Sequence, residues 1–290
     1  MSNSGARSKV IFWITAAAVC IILLAYSFFV ERNTLSLTKI DLHFDDLPRE
    51  FDGFTILQIS DLHISHWWEL ERRLELLVKD IAPKADILVF TGDIAVNSRG
   101  ARLTEEFIRR VRPSGETLAV YGNTEHKGRY GERRRADISK TSIRVLTNEH
   151  IVLAKGESHI VIAGVDDPFT GFDDLSKALK DAPKDAFTIL LAHAPSIADE
   201  AAKAGVNLLI SGHTHGGQVR FPLAGTVYSH LRKHRRLTHG LFEGERLSKI
   251  IGMDAGDLKV YVSRGVGIST LPFRFLCPPE IVLFTLKSLQ

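Results

Sequence analysis

From Val10 to Val30 the chain carries no charge on any face, so the pattern is neither that of an amphipathic helix nor that of a strand. As a helix this stretch extends about 31 Å, the thickness of a bilayer's hydrocarbon core. It predicts one membrane-spanning anchor over residues 1–31. Ala25 and Ser27 resemble a signal-peptide cleavage site, but Phe28, Phe29 and Val30 continue the apolar run past it, which favours an uncleaved anchor. Past the anchor the pattern shortens. Residues 32–53 form a polar lead-in with one candidate strand, Leu37–Phe44. The apolar runs Phe54–Ser60, Ile87–Thr91, Leu118–Tyr121, Ile160–Val165, Phe187–Ala192, Leu208–Ser211 and Leu258–Ser263 have the length and β-branched content of buried strands. Helical spacing recurs between several of them, at Trp68–Ile81, Thr104–Arg112, Leu175–Lys180 and Ile197–Ala204. Strands alternating with helices predict a single α/β domain over residues 54–290.

Composition narrows the classes. Hydrophobic residues at 44% and charged residues at 24% of 290 exclude a disordered or fibrous chain. The net charge of +3 includes Arg7 and Lys9, ahead of the anchor, so the domain has no bulk charge for nucleic acid, and no nucleic-acid partner is expected. Nor does the sequence imply a protein partner. Two cysteines, Cys20 and Cys277, exclude a disulfide scaffold and a thiolate metal site. Arg7 and Lys9 lie before the anchor, whereas Glu31, Arg32, Lys39 and Asp41 nearly cancel after it. The positive-inside rule then puts the N-terminus in the cytoplasm and the domain outside the cytoplasmic membrane.

Chemistry concentrates where the predicted strands end. Asp61-Leu62-His63 follows the first core strand, Gly92-Asp93 the second and Gly122-Asn123 the third. His193 and Gly212-His213-Thr214-His215 follow two later ones. Each fragment alone is a common turn, but open α/β sheets bind ligands at the carboxyl ends of their strands. Together the five ends bring Asp61, His63, Asp93, Asn123, His193, His213 and His215 to one rim. Carboxylate, amide and imidazole donors without thiolate favour Mn²⁺, with Fe or Zn²⁺ as alternatives. Seven donors exceed one tetrahedral site and fit two divalent ions that share a carboxylate and clamp a phosphoryl group.

These motifs resemble the calcineurin-like metallophosphoesterases, whose pattern is D-x-H, G-D, G-N-H-[DE], H and G-H-x-H. The resemblance runs from about residue 54 to the end. It implies a four-layer αββα sandwich preceded by one transmembrane helix. It also implies one ion on Asp61, His63, Asp93 and His215, and a second on Asp93, Asn123, His193 and His213. The stretches Ser211–Gln218, Ser263–Ser269 and Pro278–Ile281 are similar to a membrane-anchored or exported subgroup that includes UDP-2,3-diacylglucosamine hydrolases. One position departs from the pattern. The family histidine after Asn123 is Thr124 here, and a hydroxyl is a poor general acid near neutral pH. Either His126 or Glu125 replaces it as the catalytic acid, or the leaving group needs no proton, as a phosphate would not, or the chain is inactive.

Further residues are candidates for substrate contact. Thr124 can position the phosphate. Arg134, in the cluster Arg129, Arg133, Arg134 and Arg135, and Arg235, in the run Arg232–Arg236, can pair with a diphosphate or an anionic headgroup, as can Arg264. Trp67 and Trp68 offer core packing, an apolar wall for acyl chains or an interfacial anchor beside the bilayer. The reading is a hydrolase of a lipid-linked phosphodiester or pyrophosphate such as UDP-2,3-diacylglucosamine, which would place the domain on the cytoplasmic side, against the charge bias. The alternatives are a general extracytoplasmic phosphodiesterase and a non-catalytic binding module on the same fold.

Overall fold

A computed structural model describes residues 3–290, Ala224 and Val227 excepted. Its strands in chain order are β1 (Ser36–Phe44), β2 (Thr55–Ile59), β3 (Ile87–Thr91), β4 (Glu116–Val120), β5 (Arg144–Val145), β6 (Glu149–Lys155) and β7 (Ser158–Gly164). They continue with β8 (Phe187–Leu191), β9 (Leu208–Ser211), β10 (Arg220–Phe221), β11 (Gly225–Thr226), β12 (Gly240–Phe242), β13 (Lys259–Val262) and β14 (Glu280–Ser288). One six-stranded sheet has the order β1-β14-β2-β3-β4-β5, with only the β14–β2 pair antiparallel. The other has the order β12-β13-β9-β8-β7-β6, parallel in the middle and antiparallel at both edges. Strands β10 and β11 form a separate hairpin.

Alternate residues of each central strand serve different cores, and this alternation makes the layers. Ile56 of β2 packs between the sheets with Phe284, Ile162, Ile189 and Ile210. Its neighbours Leu57 and Ile59 face outward, against Leu74, Val78, Phe107 and Ile138. In the second sheet Ile189 and Leu191 face inward, while Leu190 packs with Ala198, Ala201 and Leu247. The helices are α1 (Asn3–Ala25), α2 (Glu69–Val78), α3 (Ser98–Val111), α4 (Asn123–His126), α5 (Gly131–Ile138), α6 (Leu175–Ala178), α7 (Ala198–Lys203) and α8 (Gly244–Ile251). Helices α2, α3 and α5 cover the first sheet and α6, α7 and α8 the second, giving the αββα sandwich. Strands buried on both faces read as unbroken apolar runs, which is why they stand out in the sequence.

Several boundaries move. Helix α3 starts at Ser98, ahead of the expected Thr104, because the Asn97 side chain accepts a hydrogen bond from the Gly100 N–H at 2.9 Å and caps the helix upstream. The segment expected as a lead-in belongs to the sheet. Strand β1 pairs along its whole length with β14, from Ser36↔Glu280 to Phe44↔Ser288, so the sandwich begins near residue 36 rather than at 54.

Helix α1 continues through Asn33, and Arg7–Asn33 is long and apolar enough to cross a membrane. Its apolar side chains, Ile11, Phe12 and Trp13 among them, are exposed. Its base is docked. Ser27 and Glu31 are buried, the Arg274 N–H donates to the Ser27 carbonyl at 3.4 Å, and the Cys277 N–H donates to Glu31 Oε1. The Arg32 guanidinium donates to the Pro272 carbonyl at 3.0 Å, and that of Arg73 to the Asn33 carbonyl at 3.1 Å. The anchor boundary expected at 31 therefore falls inside the docked base. Removing residues 1–25 leaves a folded domain. Extending the deletion through Glu31 strips the acceptor from the buried Cys277 N–H and costs about 1–3 kcal/mol more, read as a lower melting temperature. Equal melting temperatures for the two truncations would show the base to be dispensable.

Candidate metal centre

The strand ends turn sharply, and the turns themselves mark the site. Asp61, His63, Asp93, His213 and His215 all hold left-handed backbone, with φ between 46° and 70°. Non-glycine residues adopt this conformation rarely and at a cost, and such residues cluster where function requires a fixed geometry. The glycines beside them are needed for closeness. A Cβ on Gly92, itself at φ +83°, would lie 2.5 Å from His193 Nδ1. One on Gly212 would lie 1.9 Å from Ser60 Oγ and 2.3 Å from Asp61 Oδ2. The G-D and G-H motifs thus let two strand ends press against a neighbouring ligand.

The seven side chains meet in two groups. Asp61 Oδ1 lies 3.5 Å from His215 Nε2, which lies 3.2 Å from His63 Nε2, which lies 3.3 Å from Asp93 Oδ2. On the other side, Asp93 Oδ1 lies 3.6 Å from His193 Nε2, which lies 3.2 Å from Asn123 Oδ1 and 3.1 Å from His213 Nδ1. Asp93 turns one oxygen toward each group. Donor atoms of Asp61, His63 and His215 lie within 4.8 Å of one another, as do those of Asp61, Asp93 and His193.

The chemistry of this set fits divalent cations. Donors about 2.0–2.1 Å from a shared tetrahedral ion stand about 3.3 Å apart, close to the spacings here. His193 Nδ1 donates to the Thr91 carbonyl at 2.9 Å, which turns the lone pair of its Nε2 into the site. Burial works against a charged His193, yet Asp93, Asp61 and Asp167 push its pKa up to about 9. Burial and neighbouring imidazoles hold His213 and His215 well below the ordinary histidine value. The pocket therefore combines a strong negative field with neutral imidazoles at His213 and His215, whose Nδ1 and Nε2 respectively meet the neighbouring donors. Supporting bonds hold the candidate ligands from behind. Asp61 Oδ2 accepts from Ser60 Oγ at 2.6 Å and from the His213 N–H at 3.0 Å, and Asp93 Oδ1 accepts from the Thr124 N–H at 2.7 Å.

Four of the residues expected to touch substrate or donate a proton have other work. Glu125 is fully buried and accepts from the N–H groups of Gly122, Asp93 and Ile94 at 2.9–3.0 Å. It clasps the β3 and β4 ends together, which replaces the expectation of a catalytic acid. Burial, reinforced by Asp93, raises its carboxyl to about 7. Glu125→Ala strands three N–H groups and costs at least about 3 kcal/mol in a thermal melt, whereas Glu125→Gln keeps one acceptor oxygen and costs less. A role as the acid would instead leave Glu125→Gln stable and inactive.

His126 also does not swing into the site. Its Nδ1 accepts from Arg135 Nη1 at 2.9 Å, its Nε2 donates to Asp166 Oδ1 at 2.6 Å, and the ring stacks on Phe172 at 4.4 Å. The Arg134 guanidinium donates to the carbonyls of Val96, Thr124 and Lys127 at 2.7–2.9 Å, fixing the loop around Thr124 rather than reaching for phosphate. Arg264 pairs with Glu280 at 2.7 Å and ties the strand-end loop to β14. Arg235 is exposed and donates to the Leu231 carbonyl at 3.2 Å. Trp67 packs on Phe107 and under Arg110, so it serves the outer core, whereas Trp68 is exposed.

Other residues lie near the candidate ligands without any motif to mark them in the sequence. The Phe169 ring lies 4.5 Å from His213 and beneath Arg232, and the His230 ring lies 6.3 Å from His213. Arg274 is fully buried and donates to the carbonyls of Arg264, Gly265 and Gly267. That loop in turn supports Asp61, whose carbonyl accepts from the Gly267 N–H at 2.8 Å.

The sequence is similar to those of known proteins. The metallophosphoesterase YkuE of Bacillus subtilis is 33% identical over 268 residues, covering 91% of this chain and 89% of that protein. The phosphodiesterase YaeI of Escherichia coli is 26% identical over 240 residues, 80% of this chain and 82% of that protein. A Bos taurus transmembrane protein with a metallophosphoesterase domain is 28% identical over 270 residues, 87% of this chain and 57% of that protein. The family model for calcineurin-like phosphoesterases matches residues 54–217, more than half of the chain and a span containing every strand end that carries a candidate metal residue, from Asp61 to His215. The chain therefore belongs to the calcineurin-like phosphoesterases, metal-dependent hydrolases of phosphate esters.

Proposed function

We propose that the chain hydrolyses a phosphodiester or pyrophosphate bond in a lipid-linked substrate of the kind of UDP-2,3-diacylglucosamine, releasing UMP and a lipid phosphate. The observation that carries this reading is the short distance in bonds from bilayer to metal centre. Glu31, at the base of the apolar helix, accepts from the Cys277 N–H, and Cys277 Sγ lies 3.3 Å from the carbonyl of the ligand His215. A site so close to the anchor base suits a substrate that stays in the membrane. Two divalent ions, Mn²⁺ in this reading, are held by Asp61, His63, Asp93 and His215 and by Asp93, Asn123, His193 and His213. When bound they supply Lewis-acid polarisation of the phosphoryl group and of the attacking water.

The protein's own groups set the geometry. Asp93 spans both ligand groups and is held by the Thr124 N–H, which fixes the spacing between them. Thr124 replaces the family's acid, and both nitrogens of His126 are engaged elsewhere. Chemistry then favours a leaving group that departs as a stable anion, as UMP or a lipid phosphate does. A second reading, a phosphodiesterase acting outside the cytoplasmic membrane, draws on Arg7 and Lys9 ahead of the anchor and on the similarity to YaeI.

The test is UMP release by the full chain in detergent with Mn²⁺, offered UDP-2,3-diacylglucosamine, a water-soluble UDP-sugar and a simple aryl diester. Preferential release from the diacylated substrate supports the first reading. Turnover of the aryl diester with no UMP from either UDP substrate supports the second and overturns the first.

A further inference from the structure

A groove of about 880 Å³ runs between the membrane helix and the domain. Leu23 and Leu24 of α1 form one wall, and Val219, Phe221, Phe273 and Phe275 line the facing side. Its volume lies within the range of sites that enclose small organic ligands. We propose that this groove holds the hydrocarbon chains of the lipid whose phosphate lies at the metal centre. The proposal rests on the lipid-linked reading above and names where its apolar part goes.

Three observations choose this occupant. First, the groove adjoins the metal centre. Gly217 and His230 line it, Gly217 lies two residues past the ligand His215, and the His230 ring is 6.3 Å from that of the ligand His213. Second, its other wall is at bilayer depth. Cys20, which also lines it, is eleven residues before Glu31, or about 16 Å along the helix, which is half of the hydrocarbon core. A chain lying in the groove thus passes from headgroup level to the mid-plane of the membrane along one protein surface.

Third, the domain side of the groove is built to meet lipid. Leu223, Phe221, Tyr228 and Leu271 are exposed beside it, and large apolar side chains grouped on a surface mark a membrane or ligand contact. The groove is shaped rather than slack. Gln218 Nε2 donates to the carbonyls of Leu271 and Phe273 at 2.8 and 3.2 Å, and its Oε1 accepts from the Ser269 N–H at 2.7 Å. This side chain binds the two groove-forming loops to each other directly after the G-H-x-H ligands. Trp67 and Trp68, for which an acyl wall was one of the alternatives, are not among the groove's lining residues.

The test uses the full chain in nanodiscs containing a phosphatidylglycerol with a diazirine on one acyl chain. Irradiation is expected to place adducts on 20–24 and on 219–221 or 271–275. Adducts confined to the outward residues of α1, such as Ile11 and Phe12, would overturn the proposal, as would crosslinks showing a second copy's helix in the groove. In parallel, Leu24→Trp and Val219→Trp fill the groove from opposite walls. Each is expected to lower the ratio of diacylated to water-soluble UDP-sugar turnover at least tenfold, mainly through KM. An unchanged ratio in both would overturn it. Groove adducts in a chain that releases no UMP would leave the groove standing and remove the UDP-lipid reading. UMP release with no groove adducts would do the reverse.

Discussion

Asp93→Ala abolishes hydrolysis, lowering kcat/KM by at least about 10³-fold, equivalent to about 4 kcal/mol of transition-state stabilisation. The reason is its place between the two ligand groups. Its Oδ2 lies 3.3 Å from His63 Nε2 and its Oδ1 3.6 Å from His193 Nε2, so one substitution removes a donor from both sites. It also removes the negative charge that offsets repulsion between two close dications. Bound Mn²⁺, counted by mass spectrometry of the dialysed protein, falls from two per chain to one or none. Asn123→Ala removes a neutral donor from one group only and costs less in both measures. Near-normal turnover or full metal content in Asp93→Ala would exclude two ions sharing this carboxylate.

What could be read from the sequence divides along physical lines. The clustering of Asp61, His63, Asp93, Asn123, His193, His213 and His215 was legible because each sits beside a strand end, and strand ends show as breaks in apolar runs. The α/β class was legible for the same reason, since strands buried on both faces leave long apolar signatures, whereas the four-layer αββα arrangement followed only from the resemblance of the motifs to the family. Edge strands were less so. Strand β6 lies at a sheet edge and buries only Ile151 of its seven residues, and β1 was visible as a strand but not as the partner of β14, some 240 residues away.

The arginines misled because an arginine's role depends on what its guanidinium reaches, and Arg134 and Arg264 reach carbonyls and a carboxylate inside their own domain. Glu125 misled because a motif position does not reveal burial. The groove was illegible altogether. Leu24, Phe221 and Phe275 come from three distant stretches: the Arg220 N–H donating to the Phe275 carbonyl joins the last two, and the docking of the α1 base on Arg274 and Cys277 brings Leu24 to them.

The absence of a histidine at Thr124 has a consequence in substrate order. General-acid assistance contributes about 10²–10⁴-fold where a poor leaving group must be protonated and little where the leaving group is already a stable anion. His126 cannot substitute without breaking its bonds to Arg135 and Asp166, and Glu125 cannot without releasing three backbone N–H groups. Pyrophosphates and activated aryl diesters should therefore turn over at least about 10²-fold faster than simple alkyl diesters with comparable binding. Thr124→His should restore the missing acid, raising alkyl diester turnover by about 10²-fold while changing pyrophosphate turnover little. Thr124→Ala should lose no more than the worth of one hydrogen bond, about 0.5–1.5 kcal/mol. Steady-state rates on one substrate series with graded leaving-group pKa measure all three. A flat dependence on leaving-group pKa, with alkyl diesters cleaved as readily as pyrophosphates, would mean that another proton donor serves the leaving oxygen and that Thr124 does not set the substrate class.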